Sequence, residues 1–228
     1  MMKVSKYVLY DILRSKIVLA YTLFLLIVSL SMFNMEENSS KAMLSLLNIV
    51  LIVLPLVSLV FTTIHYYNSY EFIELMSSQP MSRTRIIISE FAGVSISLLS
   101  AFLLGVGLPI LIYAPDETGF ALVFTGMALT VVFVAIAFFA SVWSRDKARS
   151  DYPLEKITLP IISLNPIDVG RIFVTLKMDI SALMGVTSAL YKDFFTSSTG
   201  LLFTVGIMLL WTVLPLWLAI RRFNKKDL

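Results

Sequence analysis

The chain alternates long apolar runs with short polar breaks. Five runs dominate: Ile17–Phe33, Ala42–Ile64, Ile86–Tyr113, Gly119–Trp143 and Gly200–Ile220. Each holds about 20 residues, the length at which a helix rising about 1.5 Å per residue crosses a hydrocarbon core. The pattern predicts an all-α polytopic membrane helix bundle with five spans. Composition agrees, with 58% hydrophobic and only 14% charged residues, as in integral membrane proteins and unlike soluble domains. No signal peptide is expected, because the first run is long and no small-residue cleavage site follows it.

The polar breaks are themselves patterned. In residues 1–16, Val4, Val8 and Ile12 recur every four positions among Lys3, Lys6, Arg14 and Lys16. That spacing predicts an amphipathic helix lying along the inner membrane surface. Asn34–Lys41 is a short acidic outer turn with Glu36 and Glu37, and Ala114-Pro115-Asp116-Glu117 is another. The fourth run closes on Trp143 and then Arg145, Lys147 and Arg149. An aromatic followed by basic residues is the mark of a cytoplasmic interface.

His65–Arg85 is predicted as an inner loop carrying a short amphipathic helix. Phe72, Leu75 and Met76 share one helical face, Glu71 and Glu74 another, and Pro80 stops the helix. Such a helix suits docking on a partner. The alternative is a helix lying on lipid, which its acidic face disfavours because the inner leaflet is negative.

Charge sets the expected topology. The segments placed inside carry thirteen basic and six acidic residues, and those placed outside carry five basic and nine acidic residues. Basic flanks stay in the cytoplasm, so both termini are expected inside, as in a protein of the cell's inner membrane. Five spans cannot put both ends on one side.

Residues 151–199 lie where the conflict falls. Their best apolar run, Ile157–Leu164, is short and contains Pro160; Asp168, Arg171 and Lys177 follow. A charge carried into lipid costs about 2.5–3.5 kcal/mol on insertion scales. The segment is therefore predicted on the outer face, as an amphipathic helix capped at Asn165 with Pro166 in its first turn and Asp168 three residues after the cap. Val169, Phe173, Leu176 and Ile180 form its apolar stripe. Asn165, Asp168, Arg171, Lys177, Asp179 and Lys192 are the candidate contacts for a periplasmic partner. The alternative is a cap that only closes the outer mouth. On this reading one span is missing between Arg149 and Asp151, and the parent has six.

Candidate chemistry narrows the function. Cysteine is absent and His65 is the single histidine, so thiol catalysis and multi-histidine metal sites fall away. A packing or hydrogen-bonding role fits His65 better than metal ligation. Between their flanks the spans hold no Asp, Glu, Lys or Arg apart from Glu90. Ion-coupled transporters need such groups at depth, and an intramembrane enzyme needs paired catalytic groups. Asn48, Ser58, Ser95, Ser97 and Thr130 are expected to make helix–helix hydrogen bonds. Gly105 and Gly107, close to Pro109, are expected to permit close packing or a bend. Met32, Met35, Met43, Met178 and Met184 lie toward the outer side. Thioethers suit Cu(I), but apolar packing is methionine's ordinary role, so no metal site is assigned.

The inner loop resembles a known family. Glu71, Glu74, Leu75, Ser78, Gln79, Pro80, Ser82 and Arg83 follow a Glu-x-x-Glu-Leu-x-x-Ser-Gln-Pro-x-Ser-Arg pattern, similar to the cytoplasmic loop of type-two ABC exporter permeases. Ser144-Arg145-Asp146-Lys147-Ala148 and Leu164-Asn165-Pro166-Ile167-Asp168-Val169-Gly170-Arg171 resemble the NosY family, permeases of nitrous oxide reductase maturation. In that family six spans are expected, the fifth directly after the Arg-Asp-Lys-Ala element. The resemblance implies a homodimeric permease, a separate cytoplasmic ABC ATPase and a periplasmic β-helical partner. It implies coupling through Glu71, Phe72, Glu74, Leu75, Met76, Gln79, Pro80 and Arg83. ATP and magnesium would belong to the ATPase, since no phosphate-binding loop is present in this sequence. The expected partners are thus protein and lipid, not nucleic acid. Copper, a sulfur species and mechanical work are the alternatives for what is passed. Drug, lipid or bacteriocin export and a non-transporting anchor are the rival functions.

Overall fold

The computed structural model describes residues 15–36, 38–77, 82–147 and 198–224, with positions 166, 167, 170 and 174. Its elements are α1 (Lys16–Met35), α2 (Ser39–Asn68), α3 (Tyr70–Ser77), α4 (Arg83–Phe102), a π-helical stretch (Leu103–Gly107), α5 (Leu108–Tyr113), α6 (Glu117–Lys147) and α7 (Ser198–Asn224). Among the described residues, five helical spans, with α4 and α5 counted as one, are long and apolar enough to cross a membrane. The chain is an all-α polytopic bundle. The helix expected within residues 1–16 falls outside the described residues except at its end.

Lipid exposure inverts the usual rule about apolar surfaces. Leu19, Leu23, Ile52, Leu56, Leu202 and Trp217 face outward, as a bilayer solvent requires. The interior holds Leu25, Leu46, Leu54, Phe102, Phe138 and Phe223. At the centre is α6, against which α2, α4 and α7 all pack.

Side-chain pairs fix the helix directions. A Cβ on Gly105 would meet Leu25, and Phe33 stacks on Tyr113. Both pairs have the same offset of 80 (105 − 25 and 113 − 33), so α1 and the α4–α5 span run parallel. Phe102 covers Gly126, and Phe91 meets Phe138 edge-on. One number rises as the other falls, so α4 and α6 are antiparallel. The guanidinium of Arg222 lies 4.1 Å from the Trp143 ring centroid, which joins the C-terminal ends of α6 and α7. Those two helices are parallel. One end of the bundle carries Lys16, Arg83, Arg85, Arg221 and Arg222; the other carries Glu36, Asp116 and Glu117.

The sequence reading likewise puts the C-terminal ends of α6 and α7 on one side. The chain leaves α6 at the basic end and enters α7 at the acidic end. The span expected to be missing between Arg149 and Asp151 falls outside the described residues. Of residues 151–199, expected on the outer face, positions 166, 167, 170 and 174 and the start of α7 are described. Pro166, Gly170 and Val174 are helical and buried, and Ile167 is half-buried. A Cβ on Gly170 would lie 2.7 Å from Thr125, 3.4 Å from Met208 and 3.5 Å from Leu129. Counted at about 1.5 Å per residue, Thr125, Met208 and Leu129 are roughly 12–18 Å below the acidic ends of their helices. That is membrane depth. The expected stripe of Val169, Phe173, Leu176 and Ile180 lies outside the described residues.

The π-helical stretch has a local cause. Pro109 has no N–H to give the Gly105 carbonyl, and the ladder slips so that Leu108 N–H donates to Leu103 O. Gly105 lets the backbone of α1 come close, with Thr22 O 3.1 Å from where a Cβ would stand. The close packing expected from these glycines is present.

Candidate functional site: the basic end

The short helix α3 is anchored at the basic end, two residues after α2 ends. Ile73 and Met76 turn inward, with Ile73 fully buried and Met76 nearly so. Tyr66, also fully buried, packs edge-on against Tyr70 and Phe138 with centroids 6.4 and 5.9 Å away. A run of i, i+3 apolar positions on a helix of this length seats one face on the bundle. The opposite face holds Glu71, Glu74 and Leu75, all exposed.

This corrects the expected docking face. Met76 was grouped with Phe72 and Leu75 as an anchor for a partner, but it belongs to the face seated on the bundle. Phe72 is half-buried and Leu75 stands with the glutamates. Gln79 and Pro80 lie outside the described residues. Arg83 begins α4 and is half-buried. Ile73, which sequence reasoning passed over, is the root of the helix; its signal was the three-residue spacing to Met76.

Beneath α3, His65 and Glu90 form a hydrogen-bonded pair. His65 Nε2 lies 2.9 Å from Glu90 Oε2, with both side chains largely enclosed. With Glu90 ionised, the imidazole N–H donates to it. Ser69 Oγ is 3.4 Å from the same nitrogen, and Phe61 stacks on the ring with centroids 6.1 Å apart. The pair joins α2 to α4 one turn before α3 begins. His65 was expected in a loop, but α2 continues through it to Asn68. Its reading as a hydrogen-bonded histidine matches the geometry. Glu90 was the single charge in the spans, and its location explains why it is tolerated: it is paired rather than exposed to lipid.

A second tie holds the last helix. Asn224 Nδ2 donates to Thr84 Oγ1 at 2.9 Å, linking the start of α4 to the end of α7. The basic rim thus carries an acidic spot, Glu71 and Glu74, mounted on a helix rooted in the bundle.

The other polar groups behave differently from expectation. Ser97 Oγ donates to Gly93 O and Thr130 Oγ1 to Gly126 O, each at 2.8 Å within its own helix. A hydroxyl deprived of water reaches the nearest carbonyl, four residues back, before it reaches a neighbouring helix. Ser58 is buried, Ser95 Oγ is buried without a partner, and Asn48 is exposed. Met43 is buried in the core while Met35 is exposed. Among the described residues no group of three His, Cys, Asp or Glu side chains comes together. Asn165, Asp168, Arg171, Lys177, Asp179 and Lys192 lie outside the described residues. Compared with protein-family models and with curated proteins, the sequence matches none.

Proposed function

We propose that this chain is the membrane-spanning subunit of an ABC transporter, moved by a separate ATPase that docks on α3. The reading is supported by one observation above all. An acidic pair, Glu71 and Glu74, is presented outward at the basic end by a helix whose other face is fixed in the bundle. A partner with basic residues complements that spot, whereas an anionic membrane surface repels it. Motion imposed on α3 passes through Ile73, Met76, Tyr66 and the His65–Glu90 pair into α2, α4 and α6, which is the kind of packed two-ended element a coupling device needs. The basic end is then cytoplasmic, by the excess of Lys and Arg there.

Within this class, the Glu71–Arg83 pattern and the Asn165-Pro166-Ile167-Asp168 element favour a NosY-like permease, a homodimer serving copper-site assembly of nitrous oxide reductase. ATP and magnesium are held by the ATPase, and a periplasmic β-helical protein completes the assembly. Export of a drug, lipid or bacteriocin is the rival within the same class. Neighbouring genes for a β-helical protein and a copper reductase distinguish the two.

The test is the double variant Glu71→Lys/Glu74→Lys, reconstituted with the ATPase in proteoliposomes. Stimulated ATP hydrolysis is expected to fall several-fold while membrane insertion is unchanged. Full coupling in the double variant would remove α3 from this role.

A further inference from the structure

We infer that the seam between α4 and α7 at the basic end binds an anionic phospholipid, with Arg85 and Arg221 on its headgroup phosphate and its acyl chains along the apolar residues below them. The seam is closed by the hydrogen bond from Asn224 to Thr84. On α7, Trp217, Arg221 and Asn224 recur at the spacing of one helical face, and all three are exposed. On α4, Thr84 and Arg85 stand four and three residues before Ile88, and Arg85 and Ile88 are exposed. The bond therefore brings Arg85 and Arg221 to the two banks of one seam, on its outer side. Basic residues set orientation wherever they stand on this end; a site requires two of them to converge.

Neither arginine has a counter-ion in the bundle: among the described residues, no carboxylate pairs with Arg85 or Arg221. The Arg221 guanidinium lies 5.3 Å from the Trp217 ring centroid, one turn deeper on the same face, a cation–π contact that steadies it. Its neighbour Arg222 lies on Trp143 instead. Trp217 is 53% exposed, and an exposed tryptophan at the end of a span marks the headgroup level. A guanidinium held there meets phosphate oxygens, which its planar fork takes two at a time.

Each arginine also stands above an apolar track. Below Arg221, α7 exposes Trp217, Leu214 and Leu210; below Arg85, α4 exposes Ile88 and Ile96. The two helices are antiparallel, so both tracks run from the basic end toward the middle of the membrane. Both span the same number of residues (221 − 210 and 96 − 85), roughly 16 Å of helix at about 1.5 Å per residue. One phosphate and two acyl chains match an arginine pair above two tracks. A zwitterionic lipid offers the same phosphate, but its own cation competes with the arginines, so a net negative headgroup is preferred.

The test uses the full chain in vesicles without an ATPase, so it stands apart from the permease reading. Tryptophan fluorescence is read in phosphatidylcholine vesicles carrying an equal minor share of either phosphatidylglycerol or phosphatidylcholine with brominated acyl chains, which quench on contact. Brominated phosphatidylglycerol is expected to quench more, and Trp217→Phe to remove the excess, which sets the lipid beside that ring. Arg85→Gln/Arg221→Gln is expected to lower the relative affinity for phosphatidylglycerol about tenfold. The single variants Arg85→Gln and Arg221→Gln each give part of that loss, and they carry the test if the double variant fails to insert. Lys16→Gln/Lys41→Gln removes as much charge from exposed positions elsewhere and is expected to leave the excess intact. Equal quenching by the two lipids, an excess that persists without the arginines, or an equal loss in the lysine variant would overturn the site. Displacement of the lipid by millimolar inorganic phosphate would overturn the lipid as its occupant in favour of a free anion.

Discussion

His65 Nε2 and Glu90 Oε2 lie 2.9 Å apart in the enclosed interior of the basic end, joining α2 to α4 directly below α3. The two residues stabilise the bundle only as a pair, because each is a polar group that the surrounding apolar side chains cannot solvate. Removing one partner of a buried pair costs about 3–5 kcal/mol, while replacing both with apolar groups is often close to neutral. His65→Leu is therefore expected to lower the temperature at which detergent-solubilised protein aggregates, and His65→Leu/Glu90→Leu to restore most of it. A double variant as unstable as the single one would mean that the pair is not the stabilising unit.

Phe102 lies with its ring tip over Gly126, so close that a Cβ there would stand 2.2 Å from Cζ. Phe102 is fully buried at the α4–α6 contact and cannot swing away into solvent. Gly126→Ala is expected to overpack the contact by about 1–3 kcal/mol. Adding Phe102→Leu shortens the side chain and should recover part of the loss. Thermal stability of the two variants, measured side by side, checks the contact.

Gly105 and Gly107 look alike in sequence but differ in what they face. A Cβ at Gly105 would meet Leu25 Cβ at 2.6 Å and the Thr22 carbonyl at 3.1 Å, both close to the backbone of α1. At Gly107 the nearest atom is Leu103 Cδ2 at 3.2 Å, the far end of a flexible side chain. Gly105→Ala should push α1 off the π-helical stretch and reduce the yield of folded protein by several-fold, whereas Gly107→Ala should be nearly silent. Equal yields of the two would show that α1 does not depend on the close approach.

The sequence by itself determined the five spans. Apolar length and flanking charge are one-dimensional properties, and Lys16–Met35, Ser39–Asn68, Arg83–Tyr113, Glu117–Trp143 and Gly200–Asn224 differ from the sequence reading only by a few residues at each end. The short helix after α2 was legible for the same reason, through its 3.6-residue period and the proline beyond it. So was the isolation of Glu90, a lone charge among apolar residues.

Tertiary structure decided everything that depends on which neighbour a face meets. Leu75 and Met76 are adjacent and both apolar, yet Met76 is buried while Leu75 stands outward with the glutamates; no periodicity separates two such residues until the bundle takes one side. The Ser97 and Thr130 hydroxyls turned to their own helices because a carbonyl four residues back was within reach. The burial of Pro166, Gly170 and Val174 is of the same kind. Hydropathy prices each residue against lipid, whereas Gly170 meets Thr125, Leu129 and Met208 of α6 and α7, a contact that no one-dimensional property shows. Arg222 on Trp143, which brings the ends of α6 and α7 together, is likewise a contact that only the packed bundle shows.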